Sequence, residues 1–163
     1  IDIGRRYCPM STALITNFLL ALFATLGFSI IFKVPLKDIP ACVIIGGLGW
    51  ITDLIAVQYF DSPVFGCFMG ACVVGLCSTF AASIFKDATT IFIIPGILCL
   101  VPGLKIFNTM VELLRKDISG AADLGLETML MAGAIAMGLL VTGAIINAIR
   151  DVIRNTSEIK DRL

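Results

Sequence analysis

Few residues in this chain have the type and setting to do chemistry. Asp53 lies inside an apolar run, with the next acid at Asp61. An acid in a membrane-crossing helix costs about 2.5–3.5 kcal/mol on an insertion scale. A carboxylate kept at that cost reads as a proton-linked group or as the partner of an ammonium ion. Close to an interface it would instead reach the headgroups, and the sequence leaves both readings open. Glu127 stands about one turn inside the last apolar run, where interfacial solvation or the positive end of a helix would also suit it. It is the second candidate for proton or ion coupling. The third feature is IFIIPGILCLVPGLKIF, residues 91–107, in which Pro95-Gly96 and Pro102-Gly103 repeat seven residues apart. Each proline removes a backbone donor and crowds the preceding turn. Backbone groups freed at membrane depth must be buried in protein or line a water-filled cavity. A half-helix beginning near Gly103 would present N–H groups to an anion such as a carboxylate, with Lys105 two residues on. Pro95, Gly96, Pro102, Gly103 and Lys105 are therefore the candidate substrate-binding residues. A kinked helix that turns into a surface helix is the alternative.

Other chemistries lack their parts. The chain has no histidine, so the commonest metal ligand and proton shuttle are missing. No HExxH, P-loop, GxSxG or GxGD motif occurs. The sequence predicts a non-enzyme with no cofactor and no metal site. Twelve Lys and Arg balance twelve Asp and Glu, and no basic excess points to nucleic acid. Cysteines stand at 8, 42, 67, 72, 77 and 99 without a CxxC pair. They read as small buried hydrophobes rather than a disulfide framework.

The elements that must position these residues are membrane helices. Of the 163 residues 58% are hydrophobic and 15% charged, with a mean hydropathy of +1.01. Soluble domains average about 45–50% and about 25%, so a soluble globular domain is excluded. The sequence predicts an all-α, polytopic membrane helix bundle, a single membrane domain over 1–163. At about 20 residues per crossing there is room for about five spans. They are expected at about 11–32, 40–60, 62–85, 88–104 and 124–149, the fourth broken by both Pro-Gly pairs. Residues 104–117 carry an amphipathic pattern, Leu104, Phe107, Met110, Val111 and Leu114 against Lys105, Asn108, Glu112, Arg115 and Lys116. Asp117 to Asp123 reads as a polar loop and 150–163 as a charged tail, a frayed helical extension in water.

Arg5 and Arg6 ahead of the first run resemble the start of a signal peptide, but the run is too long and no A-x-A site follows. It is expected to stay as a span. The chain opens on Ile rather than Met, so a longer native N-terminus is expected. Pro40 suits the first turn of the second helix, and Asp61-Ser62-Pro63 reads as a turn. Gly66 and Gly70, Ala71 and Gly75, and Gly133 and Gly138 are small residues that let helices approach closely. With five spans, Arg5, Arg6, Lys105, Arg115 and Lys116 share one side. Lys33, Lys37, Lys86, Arg150, Arg154, Lys160 and Arg162 share the other, which favours a cytoplasmic C-terminus. A re-entrant Pro-Gly segment would instead put both ends on one side.

LGFSIIFKVPLKDIPACVIIGGLGW resembles the first two spans of the small, C-terminal-type unit of the threonine/serine exporter family. Val34-Pro35 and Gly46-Gly47-Leu48-Gly49-Trp50 carry that match. ATTIFIIPGILCLVPG, residues 88–103, is similar to the family's alanine-threonine, Pro-Gly, Val-Pro-Gly signature, and MAGAIAMGLL resembles its final span. The likeness covers about residues 24–149. It implies an inner-membrane, multi-pass exporter of threonine and serine driven by an ion gradient, most plausibly protons, that is, an antiporter. It also implies a larger membrane subunit as partner, since this chain matches only the second half of the long family members and lacks the soluble segment of the first half. Some two-subunit relatives are linked to dicarboxylate export, so a succinate-like substrate stays open, as do a non-transporting scaffold role and a homo-oligomer. Asp53 belongs to none of the quoted signatures.

Overall fold

The computed structural model describes residues 10–160, and these form six helices: α1 (Met10–Ile31), α2 (Ile39–Phe60), α3 (Pro63–Phe85), α4 (Thr89–Leu98), α5 (Gly103–Leu114) and α6 (Ile118–Lys160). There is no strand among the described residues. Three helices are long and apolar enough to cross a membrane: α2, α3 and the Ile118–Arg150 part of α6. The α4–α5 pair is bent by 48° at its break, and taken as one broken span it brings the number to four. In α1 the stretch Thr16–Ile31 is apolar but short by the same measure, while the whole helix has 22 residues. Arg5, Arg6, Cys8 and Arg162, which entered the charge and cysteine readings, lie outside the described residues.

Local chemistry sets the helix ends. Pro40 and Pro63 occupy first turns, where a missing N–H leaves nothing unpaired. The Ser62 hydroxyl accepts from the Phe65 N–H at 3.5 Å and caps α3. Asp61, Lys86 and Lys116 take left-handed backbone angles just after α2, α3 and α5 and stop those helices.

Two ends of the bundle follow from the antiparallel order. The α1–α2 and α3–α4 turns share one end, marked by Lys37. The α2–α3 and α5–α6 turns share the other, marked by Asp61. Helix α2 packs on α1, α3 and α4, and α3 packs also on α4 and α6. Helix α5 rests on α6 and on no other helix of the described residues.

The interior is built from small residues, as close packing in lipid requires. A Cβ added to Gly46 would strike Thr25 of α1, one on Gly49 would strike Val74 of α3, and one on Gly75 would lie 3.0 Å from Thr142 of α6. At Gly138 it would lie 2.8 Å from the Phe68 carbonyl. Gly133 is exposed and meets nothing within 4 Å, so the expected packing role does not hold for it within this chain. Large apolar side chains such as Phe23, Phe80 and Met129 point outward, where lipid rather than water would meet them.

Two expectations need correction. Pro95-Gly96 does not break the fourth span: Pro95 lies buried inside a continuous α4. The carbonyl deprived of its donor by Pro95 is that of Ile91, four residues back. The Cys42 thiol of α2 donates to it at 3.6 Å, so the helix runs on. Only the second pair, Pro102-Gly103, coincides with a break. The expected polar loop over 117–123 is the first turn of α6 instead. The Asp117 Oδ1 accepts from the Gly120 N–H at 3.1 Å and the Ser119 hydroxyl at 2.9 Å, which caps the helix and absorbs the polar residues into it.

Candidate functional site

The break between α4 and α5 sits at mid-depth. Leu100 is 3% exposed and fits against Gly49 of α2 and Gly70 of α3, both near the middle of their helices. Only glycine leaves room for it at these places: a Cβ on Gly70 would also come within 3.0 Å of the Gly49 carbonyl. On the α1 side, the Cys99 Sγ and Thr25 Oγ1 lie 2.9 Å apart. Cys99 also donates to the Ala21 carbonyl at 3.7 Å. A cavity of about 190 Å³ lies beside them, lined by Asn17, Ala21, Trp50 and Cys99 among others. The break is thus fixed by a leucine in a glycine socket and by a thiol–hydroxyl contact.

Within the break the backbone closes on itself. The N–H groups of Leu100 and Val101 both turn to the Ile97 carbonyl, and the Gly103 N–H turns to the Val101 carbonyl at 2.7 Å. Gly103 therefore does not offer its N–H to a ligand, contrary to the expectation for a half-helix starting there. Leu104 and Lys105 begin the α5 ladder and have no intrahelical acceptor for their N–H groups, as in any first turn.

Asp53 and the charges Lys105 and Glu127 all lie on the Asp61 side of the break, but at different depths: Gly138 packs at Phe68 and Ala71 and Gly75 packs at Thr142, so α3 and α6 run parallel and Glu127 stands near the level of Asp61. Asp53 lies seven residues from the end of α2, about 10 Å of helix rise. Its carboxylate is directed into α3: a Cβ on Gly66 would lie 2.7 Å from Oδ1 and 3.0 Å from the Asp53 carbonyl. That oxygen is buried and accepts no hydrogen bond, although the Cys67 thiol lies beside the carboxylate. The side chain is therefore turned inward, away from the headgroup position. Lys105 lies two residues into α5, and Glu127 lies eleven residues before Gly138, about 16 Å of rise toward the Asp61 end. They form an ion pair across α5 and α6. Lys105 is also within electrostatic range of the Cys67 sulfur. Among the described residues α5 packs on α6 alone, so the Lys105–Glu127 pair sits against α6 while Asp53 faces Gly66 of α3.

The candidate residues thus divide. Pro102, Gly103, Lys105, Asp53 and Glu127 gather between mid-depth and the Asp61 end, whereas Pro95 and Gly96 are buried in α4 toward the Lys37 end. Gly96 packs on Val74 and Ile45, with 3.0 Å and 3.4 Å left for a Cβ. The sequence reading missed two features. One is the Lys105–Glu127 pairing, whose only signal is that both charges interrupt apolar runs. The other is the use of thiols as donors: Cys42, Cys72 and Cys99 each donate to a carbonyl of another helix, and all five described cysteines are free. No cluster of three or more His, Cys, Asp or Glu suited to a metal ion occurs among the described residues.

A second cavity of about 190 Å³ opens toward the Lys37 end between α3, α4 and α6. Thr79, Thr89, Thr142, Asn147 and Arg150 contribute its polar lining. It exists because α4 and α6 do not pack on each other.

These features define a class first: a helical membrane protein with a bent, broken helix pair and, on one side of the break, an inward-turned acid and an ion pair. The chain belongs to the threonine/serine exporter family, since the family model described as "Threonine/Serine exporter, ThrE" matches residues 17–145. The match reaches every helix described here. The chain is also similar to an uncharacterized protein of Haemophilus influenzae (strain ATCC 51907 / DSM 11121 / KW20 / Rd). The two are 25% identical over 138 residues, covering 80% of this chain and 46% of the relative. The chain thus spans about half the length of that relative. No solved structure matches it.

Proposed function

We propose that this chain is one membrane half of a proton-coupled exporter of threonine and serine. A larger membrane subunit of the same family would supply the other half, in the inner membrane. Family membership supports the substrate class. The match to just under half of a longer relative supports the need for a second half.

The observation that carries the mechanism is a buried Asp53 carboxylate oxygen that accepts no hydrogen bond, on the same side of the α4–α5 break as the Lys105–Glu127 pair. A buried carboxylate oxygen without a donor needs a proton or a cation. Asp53 would take either a proton or the substrate ammonium, and not both at once. Competition for one carboxylate is what antiport requires: a proton arriving from outside displaces the amino acid leaving the cell. The substrate carboxylate would compete with Glu127 for Lys105.

The test is efflux of labelled threonine from loaded cells carrying Asp53→Asn or Lys105→Ala. Both variants should reach the membrane and lose at least about tenfold in efflux rate. Exchange of threonine across vesicles without a pH gradient should survive better in Lys105→Gln than in Asp53→Asn. Normal efflux in both variants at normal expression contradicts this placement of the site.

A further inference from the structure

At the Lys37 end two carboxylates meet with no donor between them. Asp38 is fully buried, at 0% exposed, and neither of its carboxylate oxygens accepts a hydrogen bond. It holds the position before α2 but its side chain does not cap that helix. Three titratable groups face it: Lys37 beside it in the α1–α2 turn, Asp87 in the α3–α4 turn, and Cys42 one turn along α2. Helices α1 and α4 carry no titratable side chain. From α1, Ser29 approaches Cys42, and its hydroxyl is committed to the Thr25 carbonyl at 2.8 Å. Asp87 lies within hydrogen-bonding range of Asp38 and is held from its other side by Lys37, whose Nζ donates to Oδ2 at 2.6 Å.

Two carboxylates at that range repel unless something positive lies between them. A metal ion fits poorly. Hard cations gather about six or more oxygen ligands, and the Lys37 ammonium already stands against Asp87. A proton needs only the two oxygens. We propose that Asp38 carries a proton and donates it to Asp87, so that Asp38, Asp87 and Lys37 form a proton-binding site that ties the α1–α2 turn to the α3–α4 turn. Burial pushes the Asp38 carboxyl up from its ordinary range; Lys37 opposes this and Asp87 adds to it.

With the proton in place the three groups carry no net charge. When it leaves, two anions face each other, Asp38 without access to water, and the two turns are driven apart. A cavity of about 380 Å³ already lies between the α1–α2 turn and α4, lined by Phe32, Val34, Pro35, Ile91, Ile94 and Pro95 among others. It ends on the first proline of α4, so loosening this end acts on the helix that leads to the break. Asp38 and Asp53 are fifteen residues apart along α2, about 22 Å of rise. This is therefore a separate proton site, and it does not depend on what the chain carries.

Infrared difference spectroscopy of the full chain in lipid vesicles, titrated with acid and base, reads the site without a transport assay. The expected result is a protonated-carboxyl component at pH 7 that shifts in D₂O, disappears in Asp38→Asn and persists in Asp53→Asn. In Asp87→Asn its midpoint should fall by about one pH unit or more, because the like-charged neighbour is gone. The Asp87→Asn arm keeps the test decisive if Asp38→Asn does not fold. A component unchanged in Asp38→Asn, or unmoved in Asp87→Asn, overturns the proposal. So does a carboxylate band at pH 7 that shifts with added sodium, which would make this a metal-cation site.

Discussion

The ammonium of Lys105, near the start of the half-helix after the break, is held by the carboxylate of Glu127 on α6, with the two side chains 29% and 36% exposed. This pair is a charged link between α5 and α6, and among the described residues α5 rests on no other helix. Lys105→Ala leaves the partly exposed Glu127 without its partner, at a cost of about 0.2–1 kcal/mol. The double variant Lys105→Ala/Glu127→Ala should lose less stability than the two single changes added together. Thermal unfolding of the purified chain in detergent measures both.

Leu100 and Gly70 should couple in the same way. Gly70→Ala places a methyl group against Leu100 and within 3.0 Å of the Gly49 carbonyl. Overpacking of this kind costs about 1–3 kcal/mol. Adding Leu100→Ala should recover part of that loss, although Leu100→Ala alone destabilises by opening a cavity. A double-mutant cycle on unfolding midpoints that shows strict additivity would contradict the socket described above.

Pro95 and Cys42 make a third linked pair. Cys42→Ala removes the donor to the Ile91 carbonyl and should cost about 0.5–1.5 kcal/mol. In a Pro95→Ala background the backbone N–H at position 95 can serve that carbonyl, so Cys42→Ala should then cost less. The comparison needs the four proteins and one stability assay.

Asp117 gives a prediction in pH. The N–H of Gly120 and then the Ser119 hydroxyl hold its carboxyl below the ordinary value of 3.8. A carboxyl lowered by folding contributes stability above its unfolded value and loses it as pH falls through the folded one. Hydrogen exchange at the first turn of α6 should therefore be well protected, once intrinsic rates are corrected, above about pH 5 and weaken below about pH 4. Asp117→Ala should weaken protection at neutral pH and remove the acid dependence.

Much of the helical order was legible because apolar runs end at strong punctuation. Pro40, Asp61-Ser62-Pro63 and the Pro102-Gly103 pair lie at helix boundaries in the structure. What sequence could not supply was tertiary in origin. Pro95 looks like a helix break in isolation and ceases to be one because a thiol from α2 reaches its orphaned carbonyl. The polar stretch after Asp117 looks like a loop and becomes helix because Asp117 caps it. Asp53, Lys105 and Glu127 stand out singly as charges in apolar surroundings. That Lys105 meets Glu127, and that Asp53 turns toward Gly66, depends on the α5–α6 and α2–α3 hairpins. Asp38 drew no attention in the sequence because an acid next to a lysine in a turn is ordinarily solvated.

The central claim is tested most directly by efflux of labelled threonine and labelled succinate from cells loaded with both. Cells carrying this chain, a larger family subunit, or the two together are compared at two external pH values. The account predicts threonine efflux that needs both chains, is faster at the lower external pH, and loses that pH dependence in Asp53→Asn. Succinate efflux without threonine efflux would contradict the substrate. No efflux of either, with both chains in the membrane, would contradict transport by the pair and favour a scaffold role for this chain.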